Sequence, residues 1–173
     1  MPETPQEYTQ RILSYTEGKD PLRVQRETPK KLAALIKGVD KKRLSKRPAP
    51  ERWSIAEIIA HLADAEIVAG WRMRQILSTN GVPIQGFDQN TWAATFNYRR
   101  QDTRQSLETF RALREYNLAM LKSVPKSSWE NYGMHQERGK ETARHVLRMF
   151  AGHDVNHVLQ VEKIVKEGRK SKK

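Results

Sequence analysis

The sequence predicts an all-α protein, a four-helix bundle preceded by an extra N-terminal helix. Two observations carry this. Apolar residues recur with a helical period almost throughout, and no stretch alternates as a half-buried strand would. The periodic segments are separated by connectors containing Pro, Gly or Asn, and four of them are long enough to be bundle helices. The length, 173 residues, suits one domain with a core of its own. Hydrophobic residues make up 37% and charged residues 30%, too apolar a mixture for a disordered chain.

The elements follow in order. A first helix is expected over Pro5–Glu17, stopped by Gly18, so that residues 1–18 form an N-terminal helical segment. A second runs from Pro21 to Lys37 and ends at Gly38, with Thr28-Pro29 marking a kink or restart. "LSKRPAPERW" is a proline-rich connector. Ser54 and Glu57 then form a capping box, the hydroxyl serving one orphan N–H while the carboxylate reaches back to the cap. The helix opened there extends to about Thr79 and is stopped by Asn80-Gly81. "GVPIQGFDQNTWAATFNYRR" reads as a long loop with a helical turn near Gln89–Ala94. Asp102 caps the next helix, whose core face comprises Leu107, Phe110, Leu113, Met120, Leu121 and Val124, and Pro125 closes it. "PKSSWENYGMHQERGK" reads as loop, and a last long helix covers Lys140–Glu167. The bundle thus spans 19–167, and 168–173 form a basic, disordered tail.

Composition narrows the function classes. There are no cysteines, which excludes disulfides, thiolate ligands and a cysteine nucleophile. No apolar run approaches the ~20 residues that span a bilayer. The N-terminus "MPETPQEYTQ" lacks the basic and apolar regions of a signal peptide, so a cytoplasmic location and no membrane partner are expected. The net charge of +12 invites a nucleic-acid reading. Its distribution argues against one: basic residues cluster only in 40–48 and 168–173, and the others lie beside acids on helical faces. A solvated basic surface is the expectation.

The chemistry lies in three histidines. Helices advance ~100° per residue, so His153 and His157 differ by only ~40° in direction. Val146, Met149, Phe150, Val161 and Ile164 fall on the same face, so both rings point into the bundle. Two imidazoles at i and i+4 can share one metal ion. His61 lies at the margin of an apolar stripe formed by Ile58, Ile59, Leu62, Met73 and Ile76, and can look into the same interior. Buried imidazoles could equally be hydrogen-bonded core residues, although each unpaired buried polar group costs ~1–3 kcal/mol.

Here "RWSIAEIIAHLADAE" (52–66) and "AGHDVNHVLQVEKI" (151–164) resemble the DinB-like superfamily, and "FDQNTWA" (87–93) and "MHQERGKET" (134–142) resemble its second DinB-like domain group. The ordered set W-S-x-x-E, H-L-x-D-x-E and H-D-x-x-H carries the resemblance, which covers roughly Leu22–Val165. It implies a DinB/YfiT-like bundle in up-down-down-up order. It also implies one divalent metal held by three histidines, matched here by His61, His153 and His157. Members given a role are described as thiol-dependent S-transferases, as an isomerase that uses a low-molecular-weight thiol, or as hydrolases by name only, and many have no assigned activity. Related bundles often form homodimers.

Three neutral histidines leave a divalent ion with open positions, as catalytic sites require. Zinc or nickel suits imidazole best, with iron or manganese as further candidates. Such an ion activates water, or a low-molecular-weight thiol as cosubstrate, for hydrolysis or S-transfer on a small-molecule substrate. Glu66 is expected to point inward, either near the site as base or histidine partner, or paired with an arginine such as Arg72 or Arg148. Gln160 shares the face of the histidine pair. Asp88 and Trp92, in the long loop, are candidate substrate-binding residues. Asp64 is expected to face solvent and Asp154 to point away from the site, while His135 and His145 are not expected to be ligands. The competing reading is a non-catalytic metal- or ligand-binding bundle that acts through a partner.

Overall fold

The computed structural model describes residues 3–170. Thr4 and Glu7 form a capping box that opens helix α1 (Pro5–Ser14). Helix α2 (Pro21–Ile36) is capped by Asp20 and continues through Pro29 without the expected restart. A short helix α3 (Lys41–Leu44) lies in the connector. Helix α4 (Ile55–Ser78) starts at the predicted Ser54/Glu57 box, and Arg47 adds an ion pair to Glu57. Strand β1 (Val82–Ile84) and helix α5 (Gln89–Thr95), capped by Asp88, occupy the long loop. Helix α6 (Thr103–Lys122) is capped by Asp102. Strands β2 (Tyr132–His135) and β3 (Gly139–Thr142) then lead into helix α7 (Ala143–Lys170).

The bundle consists of α2, α4, α6 and α7. Each of α2 and α4 packs against both α6 and α7. The two apolar clusters fix the direction of each helix. One joins Leu32, Ile55–Ile59, Leu107, Phe110 and Val158–Val165, and the other joins Met73–Leu77, Leu118, Leu121 and Ala143–Leu147, with Leu22 packed against it. Residue numbers rise together along α4 and α6 and fall along α2 and α7. The order is therefore up-down-down-up.

The expectation that there are no strands is corrected. β1 pairs in parallel with β2, Val82 opposite Gly133, and β2 pairs antiparallel with β3, Tyr132 opposite Thr142. These strands have three or four residues each, too few for an alternating pattern to register. Because 140–142 belong to β3, the last helix begins at Ala143 instead of Lys140. It also continues past Glu167 to Lys170. The rest of the expected disordered tail, 171–173, lies outside the described residues.

Between the two apolar clusters lies a polar layer that joins all four helices. Arg114 of α6 is 2% exposed and bonds Glu66 of α4 and Asp154 of α7 through its guanidinium. Its Nη1 also donates to the backbone carbonyl of Gln25 on α2 at 2.8 Å. Pro29 lacks the N–H that would normally occupy that carbonyl, so an interior proline here frees an acceptor for Arg114. Asn117 donates to the other Glu66 oxygen at 2.8 Å.

Helix α1 packs on α7 at Gly152, where a Cβ would collide with the backbone carbonyl of Ile12. This close approach brings Tyr8 of α1 to the cavities beside the histidines.

Candidate metal centre

α4 carries His61 into the bundle, and α7 carries His153 and His157 one turn apart toward it. The Nε2 atoms of His61 and His153 are 3.0 Å apart, and those of His157 and His153 are 3.1 Å apart. One ligand atom from each residue lies within 4.8 Å of the others. His61 and His157 are buried, and His153 is partly exposed to a cavity.

Proton accounting shows what this arrangement suits. The Nδ1 of His157 lies 2.9 Å from Oε1 of Gln160, a carbonyl-type oxygen that can only accept. His157 therefore carries its proton on Nδ1 and presents a bare lone pair at Nε2. If His153 donates from Nε2 to that lone pair, it has no in-plane lone pair left for His61. A conventional hydrogen bond can satisfy only one of the two short contacts, whereas a central cation satisfies all three lone pairs. A tetrahedral ion with Zn–N bonds of ~2.0–2.1 Å would place its ligand nitrogens roughly 3.3 Å apart. The donor set fits a divalent metal.

Electrostatics agree. Burial, reinforced by His157, pushes His61 well below the usual imidazole range. Burial does the same to His153, with His157, His61 and Arg114 adding to it. Burial lowers His157 to about 4, against the opposing bond to Gln160. All three rings are thus neutral at pH 7, the state a metal requires. Nδ1 of His61 is buried without a partner, and the centroid of its ring lies 5.0 Å from that of Trp53.

Two cavities open onto the cluster. One of about 360 Å³ reaches His61 and His153 between Arg72, Phe87 and Phe150. The other, about 380 Å³, reaches His157 and Gln160 past Trp53 and Arg11. Tyr8 of α1 and Gln89 and Asn90 of α5 line both.

The family model of the DinB superfamily matches residues 26–161, most of the chain and all three histidines. The chain belongs to the DinB superfamily. Relatives include a protein of Geobacillus thermodenitrificans named "Putative metal-dependent hydrolase", 24% identical over 79% of this chain and 77% of that one. A protein of the same description from Halalkalibacterium halodurans is 20% identical over 78% of each chain. Among solved structures, YfiT from Bacillus subtilis, described as a probable metal-dependent hydrolase with an unusual four-helix bundle topology, superimposes with a TM-score of 0.78 at 17% identity, covering 95% of this chain and 89% of that one. A mycothiol-dependent maleylpyruvate isomerase superimposes with a TM-score of 0.66 at 14% identity, covering 80% of this chain and 58% of that one.

Within this DinB bundle the other candidate residues separate. Gln160 touches the cluster through His157. Glu66 points inward, but its oxygens are held by Arg114 and Asn117, not by Arg72 or Arg148. Asp88 lines the cavity, and its carboxylate accepts from the Asn90 and Thr91 amides and the Thr91 hydroxyl, bonds that lower its pKa. Trp92 packs between Phe87 and Phe96, outside both cavities. Asp64 departs from the expected solvent-facing position: it is half-buried and accepts from the Tyr98 hydroxyl. Asp154 points away from the metal ligands into the Arg114 layer. His135 accepts from the Glu137 and Arg138 amides, and His145 lies 3.8 Å from Glu141, so neither joins the cluster. Sequence reasoning missed Arg114 and Tyr8. A signal for Arg114 was present, an arginine one turn after Phe110 and one before Leu118 on the apolar face.

Proposed function

We propose that this DinB-superfamily protein is a metal-dependent hydrolase of a small molecule, with His61, His153 and His157 as the ligands of one divalent ion. The convergence of three Nε2 lone pairs below an open cavity carries the reading. An ion bound there supplies Lewis acidity and lowers the pKa of a bound water or thiol. Zinc or nickel suits the all-imidazole donor set.

The chain's own residues do the rest. Gln160 fixes the tautomer of His157 and aims its Nε2 inward. Burial keeps all three rings neutral. Phe87 and Phe150 give the cavity an apolar wall that limits water. Asp88 fixes the start of α5 at the cavity rim, with Trp92 packed behind it. Glu66 acts at a distance by neutralising Arg114, whose charge acts on His153.

Thiol-dependent transfer is a second reading. It is favoured by the likeness to a mycothiol-dependent isomerase and by the lack of any cysteine in this chain.

The test is metal analysis of protein purified without a histidine tag. One equivalent of zinc or nickel is expected, with His61→Ala and His153→Ala each abolishing it; unchanged metal content in both variants overturns the site. Metal-loaded protein is then assayed on ester, amide and electrophile panels with and without small thiols. Turnover without thiol supports hydrolysis, and turnover only with thiol supports transfer.

A further inference from the structure

Two arginines are deeply buried in this protein, with opposite surroundings. Arg114 is matched by two carboxylates. Arg72, 8% exposed, has no ion-pair partner among the described residues. One of its Nη atoms donates to the Gln85 carbonyl at 2.7 Å, and its Nε is buried without any hydrogen-bonding partner. The nearby Arg138 is committed to Glu141, with bonds of 2.6 and 3.0 Å. Burial lowers the pKa of Arg72 to about 10, which still leaves it cationic at pH 7. Glu141 lines the same cavity and acts on Arg72, but its carboxylate is bonded to Arg138, so no carboxylate among the described residues meets the Arg72 guanidinium. A buried charge left so is costly.

The position of Arg72 suggests a use for that charge. Arg72 lines the same cavity as His61 and His153. It follows His61 by eleven residues, roughly 20° apart around α4 and about 16 Å along it. Arg72 and His61 thus reach one cavity from the same face of α4, about three turns apart.

We propose that Arg72 is the specificity residue of this cavity and binds an oxyanion, carboxylate or phosphate, at the end of the substrate remote from the metal centre. The substrate class is then an anionic small molecule whose reacting group and oxyanion are separated by a spacer of several bonds. This rests on the metal-site reading above. The planar fork of a guanidinium matches an oxyanion in bidentate geometry, and Phe87, 5.9 Å from the Arg72 guanidinium carbon, shields the pair.

The test is calorimetric titration of zinc-loaded protein with 6-mercaptohexanoate and with its uncharged analogue 6-mercaptohexan-1-ol. The carboxylate compound is expected to bind roughly tenfold tighter or better. Arg72→Met is expected to erase that difference while retaining zinc, and Arg72→Lys to restore it only in part. Glutarate and inorganic phosphate, titrated into metal-free protein, separate the carboxylate and phosphate sources. Because this arm needs no metal, Arg72-dependent binding there stands even if the metal reading fails. Equal binding of the two thiols by wild type, or an undiminished preference in Arg72→Met, overturns the proposal. So does a melting temperature of Arg72→Met far below wild type, since that marks Arg72 as structural; a temperature equal or higher is expected.

Discussion

At the scale of the residue, the decisive feature is the hydrogen bond between His157 and Gln160, because it assigns a proton. With Nδ1 occupied, Nε2 of His157 can only accept or ligate. Gln160→Leu removes the acceptor, and the resulting freedom of the ring should weaken metal affinity about 10- to 100-fold. Competition with a chromophoric chelator measures this, with an unchanged helical spectrum as control. The same cluster makes the metal-free protein sensitive to acid. His157 titrates near 4 in the folded protein, below the ~6.5 of an unfolded chain. As pH falls through 6.5 the unfolded state takes up the proton first, so stability drops until about pH 4 and then levels off. The full loss from this group is on the order of 3 kcal/mol, and His61 and His153 shift in the same direction. Urea midpoints of metal-free protein between pH 7 and 4 should fall accordingly; a flat profile contradicts the buried neutral cluster.

At the scale of the element, α1 packs on α7 over Gly152. The N-terminal helix is legible from its helical pattern between Pro5 and the stop at Gly18, and Thr4 and Glu7 cap it locally. Its docking is not, because that depends on α7 lacking a side chain at Gly152. Gly152→Ala should push α1 off α7, at about 1–3 kcal/mol of stability. Hydrogen exchange of the α1 amides should rise well before that of α4, and the cavities should lose the Tyr8 wall. The start of α7 makes the same point: Lys140–Thr142 fit a helical pattern, but pairing with Tyr132–His135 claims them for β3. Pro29 has a third kind of role. Sequence marks it as an interruption, yet α2 passes through it and Arg114 takes the carbonyl it leaves free.

At the scale of the molecule, the polar layer around Arg114 divides the core into two apolar clusters and ties four helices together. Arg114→Met leaves Glu66 and Asp154 buried without their cation, and should cost about 3–5 kcal/mol in urea unfolding. Replacing Arg114, Glu66 and Asp154 together with apolar residues of similar volume should recover most of that loss. If the triple variant is no more stable than the single one, the layer does more than satisfy its own charges.

The four bundle helices, the caps of α4 and α6 and the alignment of His153 with His157 could be read from the chain alone, because helix period and capping are set by residues within a few positions of one another. His61 could be named as the third member only through the ordered motifs, since nothing local joins residues 92 apart. Only helix packing sets Glu66 against Arg114 and Asp64 against Tyr98, and leaves Arg72 with no carboxylate bonded to it among the described residues. These outcomes depend on the rotation and register of one helix against another, and burial turns each pairing or its absence into a large energy.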